Sequence, residues 1–328
     1  MTWCIMANGR PIRDGLEAAV AKGACLLKEG ESAIKAVTET IRALEDDPRF
    51  DAGTGCDLNL YGLVLMDASI MDGRTLNGGG VGAVSGVKNP ILIAQKVMDT
   101  TPHVFLVGKY AEDYAKTLSR KYPEIVVDYD ASTFETRERL LKAIKALVEE
   151  APVEEILSEK NSMSALWFKL LLEGRLNTIQ KRLSGRDHGT VSAIALDQDG
   201  DYSAGASTGG WTLSLPGRIG DSPLLGCGAY ADNSKGASST SGIRGEENVR
   251  LGGLTRRVCD HMENGLSSTE ATQMVTDYAF KRIGLTINRV SLIAIDLDGE
   301  PGFNLGHEAP SQGVAYLRNG MVNPRYLT

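Results

Sequence analysis

The sequence predicts an α+β fold in which stacked β-sheets are covered by helices on both outer faces. Three observations carry this expectation. Amphipathic helical stretches fill much of the first half of the 328-residue chain, while strands and hairpins gather in the second. The second half holds two near-copies of one hairpin, residues 192–201 and 291–300, each an apolar strand that turns at Asp-Gly. Helical stretches lie between those copies.

Taken in order, residues 14–29 carry Leu16, Ala19, Val20, Ala24 and Leu27 on one stripe, the 3.6-residue period of a helix. Residues 32–46 repeat the pattern with Ile34, Val37, Ile41 and Leu44. Leu63–Leu65 and Ala68–Met71 read as short strands. Asn89-Pro90 opens a helix through about Met98, because proline is favoured in a first helical turn. Val104–Val107 reads as a buried strand, followed by a helix from about Tyr110 to Arg120. Ser132 and Glu135 have capping-box spacing for a helix running to about Glu150. From about Ala151 to Arg186 the character changes to a helix-like segment, Ser164–Leu172, and a basic polar run, Gln180–Arg186; this stretch reads as a linker. After the first hairpin come helices over about Leu254–Glu263 and Thr269–Arg282, with Ser267 and Glu270 capping the second.

Composition bounds the function. Apolar content of 42% and charged content of 23% are ordinary for a soluble globular chain, and the length suits one large unit or two domains. A net charge of −7 argues against a nucleic-acid partner, which would need a basic face, and does not suit an anionic membrane. The five cysteines, Cys4, Cys25, Cys56, Cys227 and Cys259, lack paired spacing and read as reduced thiols of a cytoplasmic protein. The start, Met1–Asn8, has no basic region and no long apolar stretch, so neither a signal peptide nor a membrane span is expected. The histidines His103, His188, His261 and His307 are too scattered for a zinc site. Asp197-x-Asp199-Gly200 has a calcium-loop look, but Thr208 stands where the bidentate Glu is required. Gly78–Ala83 fits a dinucleotide fingerprint, yet no convincing helix opens after it.

The chemistry-bearing residues begin at Gly189-Thr190, ahead of the first hairpin. Threonine is a poor nucleophile inside a chain. As a first residue it becomes a good one, because its α-amine, with a pKa near ~7.7–8.0, takes the hydroxyl proton. Gly189 permits a strained turn that larger residues resist. The expectation follows that the chain cuts itself between Gly189 and Thr190. Taken alone, Gly-Thr is equally an ordinary strand start. Gly205-Ala206-Ser207-Thr208-Gly209 fits the nucleophile elbow of α/β-hydrolases, but residues 210–216 are too interrupted to open the helix that an elbow needs. Thr208 reads better as a second hydroxyl, laid beside Thr190 by a strand returning from the Asp199-Gly200 turn. Arg218 and Asp221, in a Pro/Gly loop, read either as a surface ion pair or as a zwitterion clamp. In a clamp the Arg fork suits an α-carboxylate and the Asp an α-ammonium.

These blocks continue through Leu215–Pro223 and Gly226–Asn233, and the first half adds Phe50–Gly55, Leu65–Gly73, Lys88-Asn89-Pro90 and Thr101–Val104. In order and spacing the set resembles the N-terminal-nucleophile hydrolases of the plant-type L-asparaginase, isoaspartyl peptidase and glycosylasparaginase family, over most of the chain. The resemblance implies a four-layer αββα sandwich. It implies cleavage of a single domain into residues 1–189, ending in the 151–189 linker, and residues 190–328. The unit would be a heterotetramer, a homodimer of such αβ pairs. Thr190 would be the nucleophile, oriented by Thr208. Ser241 and Gly242 would form the oxyanion hole, with Thr240 beside them as an alternative hydroxyl. Arg218 and Asp221, with Gly242, would hold the substrate. No cofactor is required, although relatives hold a structural sodium ion on a loop that here spans Leu44, Glu45, Asp47, Phe50, Ala52 and Thr54.

The implied activity is L-asparaginase and β-aspartyl (isoaspartyl) peptidase, on a small molecule or dipeptide. Glycosylasparagine is the rival substrate, although Gly189 stands where such enzymes carry Asp. An uncleaved amino-acid-binding protein is the rival of another class. The chain departs from the family pattern in the expected pocket. Met6-Ala7-Asn8-Gly9-Arg10 replaces a His-Gly-Gly-Ala-Gly run and Asp51 replaces Asn. Trp211–Ser214 lacks an Asn-Lys, and Ser241–Glu246 is one residue longer. These changes bear on substrate choice and processing. His188 reads as an exposed linker residue.

Overall fold

The first strand, β1 (Cys4–Gly9), lies between strands from far later in the chain. It belongs to an eight-stranded sheet whose order is β12 (Arg325–Leu327), β11 (Gly313–Arg318), β1, β5 (Val191–Leu196), β6 (Tyr202–Thr208), β2 (Met66–Asp72), β3 (Gly78–Val84) and β4 (Phe105–Val107). Only the β3–β4 pair is parallel. A four-stranded sheet holds β10 (Pro301–Asn304), β9 (Val290–Ile295), β8 (Gly236–Gly242) and β7 (Ala229–Asp232), in that order. The structure, a computed structural model, describes residues 2–148, 189–242, 245–283, 290–306 and 312–327. The linker with Ser164–Leu172 and Gln180–Arg186, His188, and the predicted end of the fifth helix at Glu150 lie outside the described residues.

Strand alternation divides the interior into three cores. On one face of the large sheet, Ile5, Ala7, Ile70, Val191 and Ala193 meet the stripes of α1 (Arg13–Lys28), α2 (Ala33–Asp46) and α3 (Pro90–Thr100). On its other face, Met6, Ile194, Ala204 and Ala206 meet Ala237, Ile293 and Ile295 of the small sheet. The outer face of the small sheet, with Leu292 and Ala294, is covered by α7 (Leu254–Glu263) and α8 (Ser268–Ile283). Helices α4 (Gly108–Ser119), α5 (Phe134–Val148) and α6 (Gly245–Arg250) complete the described helices.

The repeated hairpins do the same work twice. Asp197 Oδ1 accepts the N–H groups of Asp199 and Asp201 at 3.0 Å each, closing its turn, while Oδ2 accepts the Ala33 N–H that opens α2, at 2.8 Å. Asp296 Oδ1 accepts from Asp298 and Glu300 at 3.2 and 2.9 Å, and Oδ2 accepts the Ser268 N–H that opens α8, at 3.0 Å. Each carboxylate fixes a turn and faces the positive end of a helix dipole.

Some local expectations shift. Leu63–Leu65 is not a strand: the Asn59 side chain accepts from the Tyr61 and Leu63 N–H groups, and extended pairing begins at Met66. The strand after Val104 pairs only with β3, at the sheet edge, so its apolar run is half-exposed rather than buried. The capping pair of α5 is Thr133 with Thr136, whose hydroxyls accept each other's N–H at 3.2 and 2.8 Å; Ser132 turns back to Asp130. Ser267 and Glu270 form the reciprocal box expected of them. Gly78–Ala83 lies within strand β3, where a Cβ on Gly79 would stand 2.1 Å from the Ala94 carbonyl of α3. Among the described residues no helix is long and apolar enough to cross a membrane.

Candidate active site

The β5–β6 register, with Val191 opposite Ser207, sets Thr190 across from Thr208 one step further. Both are nearly closed to solvent, and Thr190 Oγ1 donates to Thr208 Oγ1 at 3.2 Å. Thr208 Oγ1 also accepts the Gly210 N–H at 3.1 Å. Gly210, at φ +82°, turns the chain away, and no helix follows β6, so the elbow geometry is absent here. Space favours a glycine at 189: a Cβ would lie 2.6 Å from Arg10 Cγ and 2.9 Å from Arg10 Nε.

Alternation along β8 sends the Thr240 and Ser241 hydroxyls to opposite partners. Thr240 Oγ1 donates to the Ser291 carbonyl at 2.9 Å. Ser241 Oγ faces Thr190 instead, 2.5 Å from its carbonyl oxygen and 2.8 Å from Gln312 Oε1, so its single proton serves either acceptor. Gly242 ends the strand at φ +134°, and residues 243–244 of the lengthened run lie outside the described residues. Beneath, Ser192 donates to Asn8 Oδ1, Ser192 and Ser239 share a hydrogen bond of 2.7 Å, and Asn8 Nδ2 donates to Ser291 Oγ at 3.0 Å. Asn8 is thus a fully buried amide that uses both ends. Gln312, Ser192, Ser239 and Ser291 escaped the sequence reading. Hydroxyls at i and i+2 along one strand, Thr190 with Ser192 and Ser239 with Ser241, were the available signal.

Arg218 and Asp221 share one loop, yet each takes a partner on α6 rather than the other. Arg218 Nε donates to Glu246 Oε1 at 2.7 Å, and Asn248 Nδ2 donates to Asp221 Oδ2 at 2.7 Å. The guanidinium lies 5.5 Å from the Trp211 ring centre and, through Nη1, 3.7 Å from where a Cβ on Gly210 would be. Arg218 therefore borders the turn that follows Thr208. Burial works against the Arg218 charge, but the Glu246 ion pair outweighs it and holds the guanidinium above its usual value. Burial pushes the Asp221 carboxyl up, with Asn248 and Arg218 pulling the other way. Asp67, opposite Thr208 on β2, accepts the Ala83 N–H at 2.8 Å and the Gly220 N–H at 3.3 Å, tying the clamp loop to the sheet. Burial raises its pKa to about 6, against the pull of the Ala83 N–H and Arg218. The sequence reading named neither Asp67 nor Glu246 for the site.

The 44–54 loop supports the turn after Thr208. The Asp51 carbonyl accepts the Gly209 N–H at 2.9 Å, and Asp51 Oδ1 accepts the Asp57 N–H at 2.9 Å. An Asn could make the same acceptance, so the Asp keeps this role. The Glu45 carbonyl accepts from Thr54 at 2.8 Å, and the Asp47 carbonyl from Phe50 at 3.1 Å. A Cβ on Gly55 would stand 2.2 Å from the Pro48 carbonyl oxygen and 2.9 Å from that of Phe50, so main-chain oxygens converge there.

Known proteins resemble this chain over most of its length. The family described as Asparaginase matches residues 4–319. The chain is 36% identical over 313 residues to the plant-type L-asparaginase of Pyrococcus furiosus, spanning 95% of this chain and 92% of that one. It is 37% identical over 275 residues to the isoaspartyl peptidase/L-asparaginase of Mus musculus, spanning 84% and 74%. The human protein of the same description is 37% identical over 272 residues, spanning 83% and 77%. Buried paired threonines, a facing serine hydroxyl and an Arg–Asp loop thus sit within a match that runs nearly end to end: the chain belongs to the asparaginase family.

Proposed function

We propose that this chain is an autocleaving amidohydrolase with L-asparaginase and isoaspartyl peptidase activity. The observation that carries the reading is the buried Thr190–Thr208 hydroxyl pair at 3.2 Å, with Ser241 against the Thr190 carbonyl. In the first event Thr190 Oγ1 attacks the Gly189 carbonyl carbon, and the peptide shifts to an ester. That shift frees the α-amine of Thr190, and water then hydrolyses the ester, restoring the Thr190 hydroxyl and leaving Gly189 with a carboxylate. In each later turnover the amine takes the Thr190 hydroxyl proton and passes it to the leaving nitrogen, and water then hydrolyses the β-aspartyl ester on Thr190, releasing aspartate and restoring the hydroxyl. Thr208 orients the hydroxyl. Ser241 and the Gly242 N–H stabilise the oxyanion, an effect of about 2.7–4 kcal/mol per donor in comparable sites. Arg218 and Asp221 hold the α-carboxylate and α-ammonium of the aspartyl portion, and Asp67 and Glu246 hold the clamp.

The four-layer αββα sandwich belongs to this reading, supported by the three stacked cores. A structural sodium ion on the 44–54 loop is part of the proposal: a hard cation takes oxygen ligands, and the loop offers neutral main-chain carbonyls, those of Glu45 and Asp47 each accepting one N–H and keeping a second lone pair. Leu44, Glu45, Asp47, Phe50, Ala52 and Thr54 would hold it through their main chain, stiffening the floor of the site without entering the reaction. The working unit is proposed to be a homodimer of αβ units.

The test is a denaturing gel with N-terminal sequencing, followed by rates on L-asparagine, β-aspartyl-leucine and a glycosylasparagine. The reading expects fragments split before Thr190, one intact chain from Thr190→Ala, and turnover of the first two substrates. A persistently intact and inactive wild type refutes it. Turnover of the glycosylated substrate alone assigns the chain to glycosylasparagine.

A further inference from the structure

We propose that Arg10 is a specificity-determining residue that holds the carboxylate of a leaving amino acid, making β-aspartyl dipeptides the favoured substrate class over free asparagine. This rests on Thr190 being the processed N-terminal nucleophile. The register of β1 gives the position. Asn8 pairs with Ser192 on one side, and Gly9 with Gly313 on the other. One step past the strand, Arg10 falls opposite Thr190, with Gln312 beyond it. Thr190 is therefore flanked by Thr208 on the β6 side and Arg10 on the β1 side. The Arg10 side chain packs on Gly189, as the close approach of its Cγ and Nε to that glycine requires. Its place is anchored, because Nη1 donates to the Arg49 carbonyl at 2.9 Å.

The chemistry then selects a ligand. As the acyl–nitrogen bond breaks and the Thr190 Oγ1–acyl bond forms, the proton from Oγ1 travels through the α-amine to the leaving nitrogen. That nitrogen must sit within hydrogen-bond reach of the amine. The amine is the atom that Gly189 preceded, so a leaving group beside it lies where Gly189 stood, next to Arg10. Ammonia offers a guanidinium nothing to hold. A leaving α-amino acid carries a carboxylate one carbon from its nitrogen, suited to the Arg fork.

The experiment compares kcat/KM for β-aspartyl-leucine, β-aspartyl-leucinamide and L-asparagine in wild type, Arg10→Met and Arg10→Lys, each normalised to the amount of N-terminal Thr190. Wild type should prefer the free carboxylate over the amide by roughly 10- to 100-fold, mostly in KM. Arg10→Met should bring that ratio near one and lower the dipeptide-to-asparagine ratio, and Arg10→Lys should keep part of both. A wild-type ratio near one, or a ratio that Arg10→Met leaves unchanged, overturns the proposal. Should Arg10→Met fail to process, the wild-type and Arg10→Lys ratios decide. Wild type that hydrolyses asparagine without distinguishing acid from amide sinks only the role of Arg10. Wild type that stays intact and inactive sinks the enzyme reading with it.

Discussion

Glu45 tests the packing beneath the site. Its side chain is fully buried, and Oε1 accepts from the Ser207 hydroxyl at 2.7 Å and the Ile91 N–H at 3.1 Å. Burial outweighs those bonds and lifts the pKa from 4.5 to about 8. The unfolded chain exposes the same carboxyl at its ordinary value. Between these limits the folded protein keeps a proton that the unfolded chain has lost, so stability falls as pH rises. The contribution is fully present below the unfolded pKa and is gone above the folded one. At ~1.36 kcal/mol per pH unit, the passage from about pH 5 to 8 removes about 4 kcal/mol. Glu45→Gln keeps the shape and an acceptor oxygen, and has no proton to lose. Urea midpoints would be measured across that range in a Thr190→Ala background, so that every sample is one intact chain. The Gln variant should gain on the Glu form by about 4 kcal/mol from acid to alkaline pH. A difference between them that stays flat with pH would mean that Glu45 ionises in the folded protein, and the burial argument would fail.

Other outcomes follow from the site. Ser241→Ala should lower kcat by roughly 10²–10³ with fragments still formed in time, read by steady-state rates on processed protein. Arg218→Lys loses the planar fork and should raise KM for asparagine by roughly 10- to 100-fold, with kcat falling less. Asp67 titrates near 6, so its charge beside Arg218 is lost as pH falls through that value. KM should therefore rise on the acid side in wild type, and Asp67→Asn should flatten that limb of the pH profile.

The threonine pair was legible because a hairpin is local: a two-residue period and one Asp-Gly turn fix who faces whom. The Ser267–Glu270 cap was legible for the same reason. Long-range partners were not. Asn8 meets Ser291 across 283 positions, and no local pattern announces that pairing. Asp67 reads as one more acidic residue until β2 is placed beside β6. The apolar run after Val104 looked buried because sequence does not tell an edge strand from a central one. Gly189 reads from the sequence as a conformational requirement, and the structure adds a reason that the sequence does not show, room beside Arg10.

The order of the large sheet constrains what self-cleavage can release. β1 is hydrogen-bonded on both sides by strands that follow Thr190, β5 and β11, while β2 pairs with β6 from the other direction. Cutting before Thr190 severs one covalent bond and leaves these ladders intact, so the fragments stay stitched together and no separate subunit is shed. Refolding is different. The precursor regains its sheet by a first-order search within one chain, whereas the cut protein must bring two chains together. Its recovery after unfolding would then depend on concentration, so the proposed processing would make an assembly whose persistence is set by how slowly it comes apart.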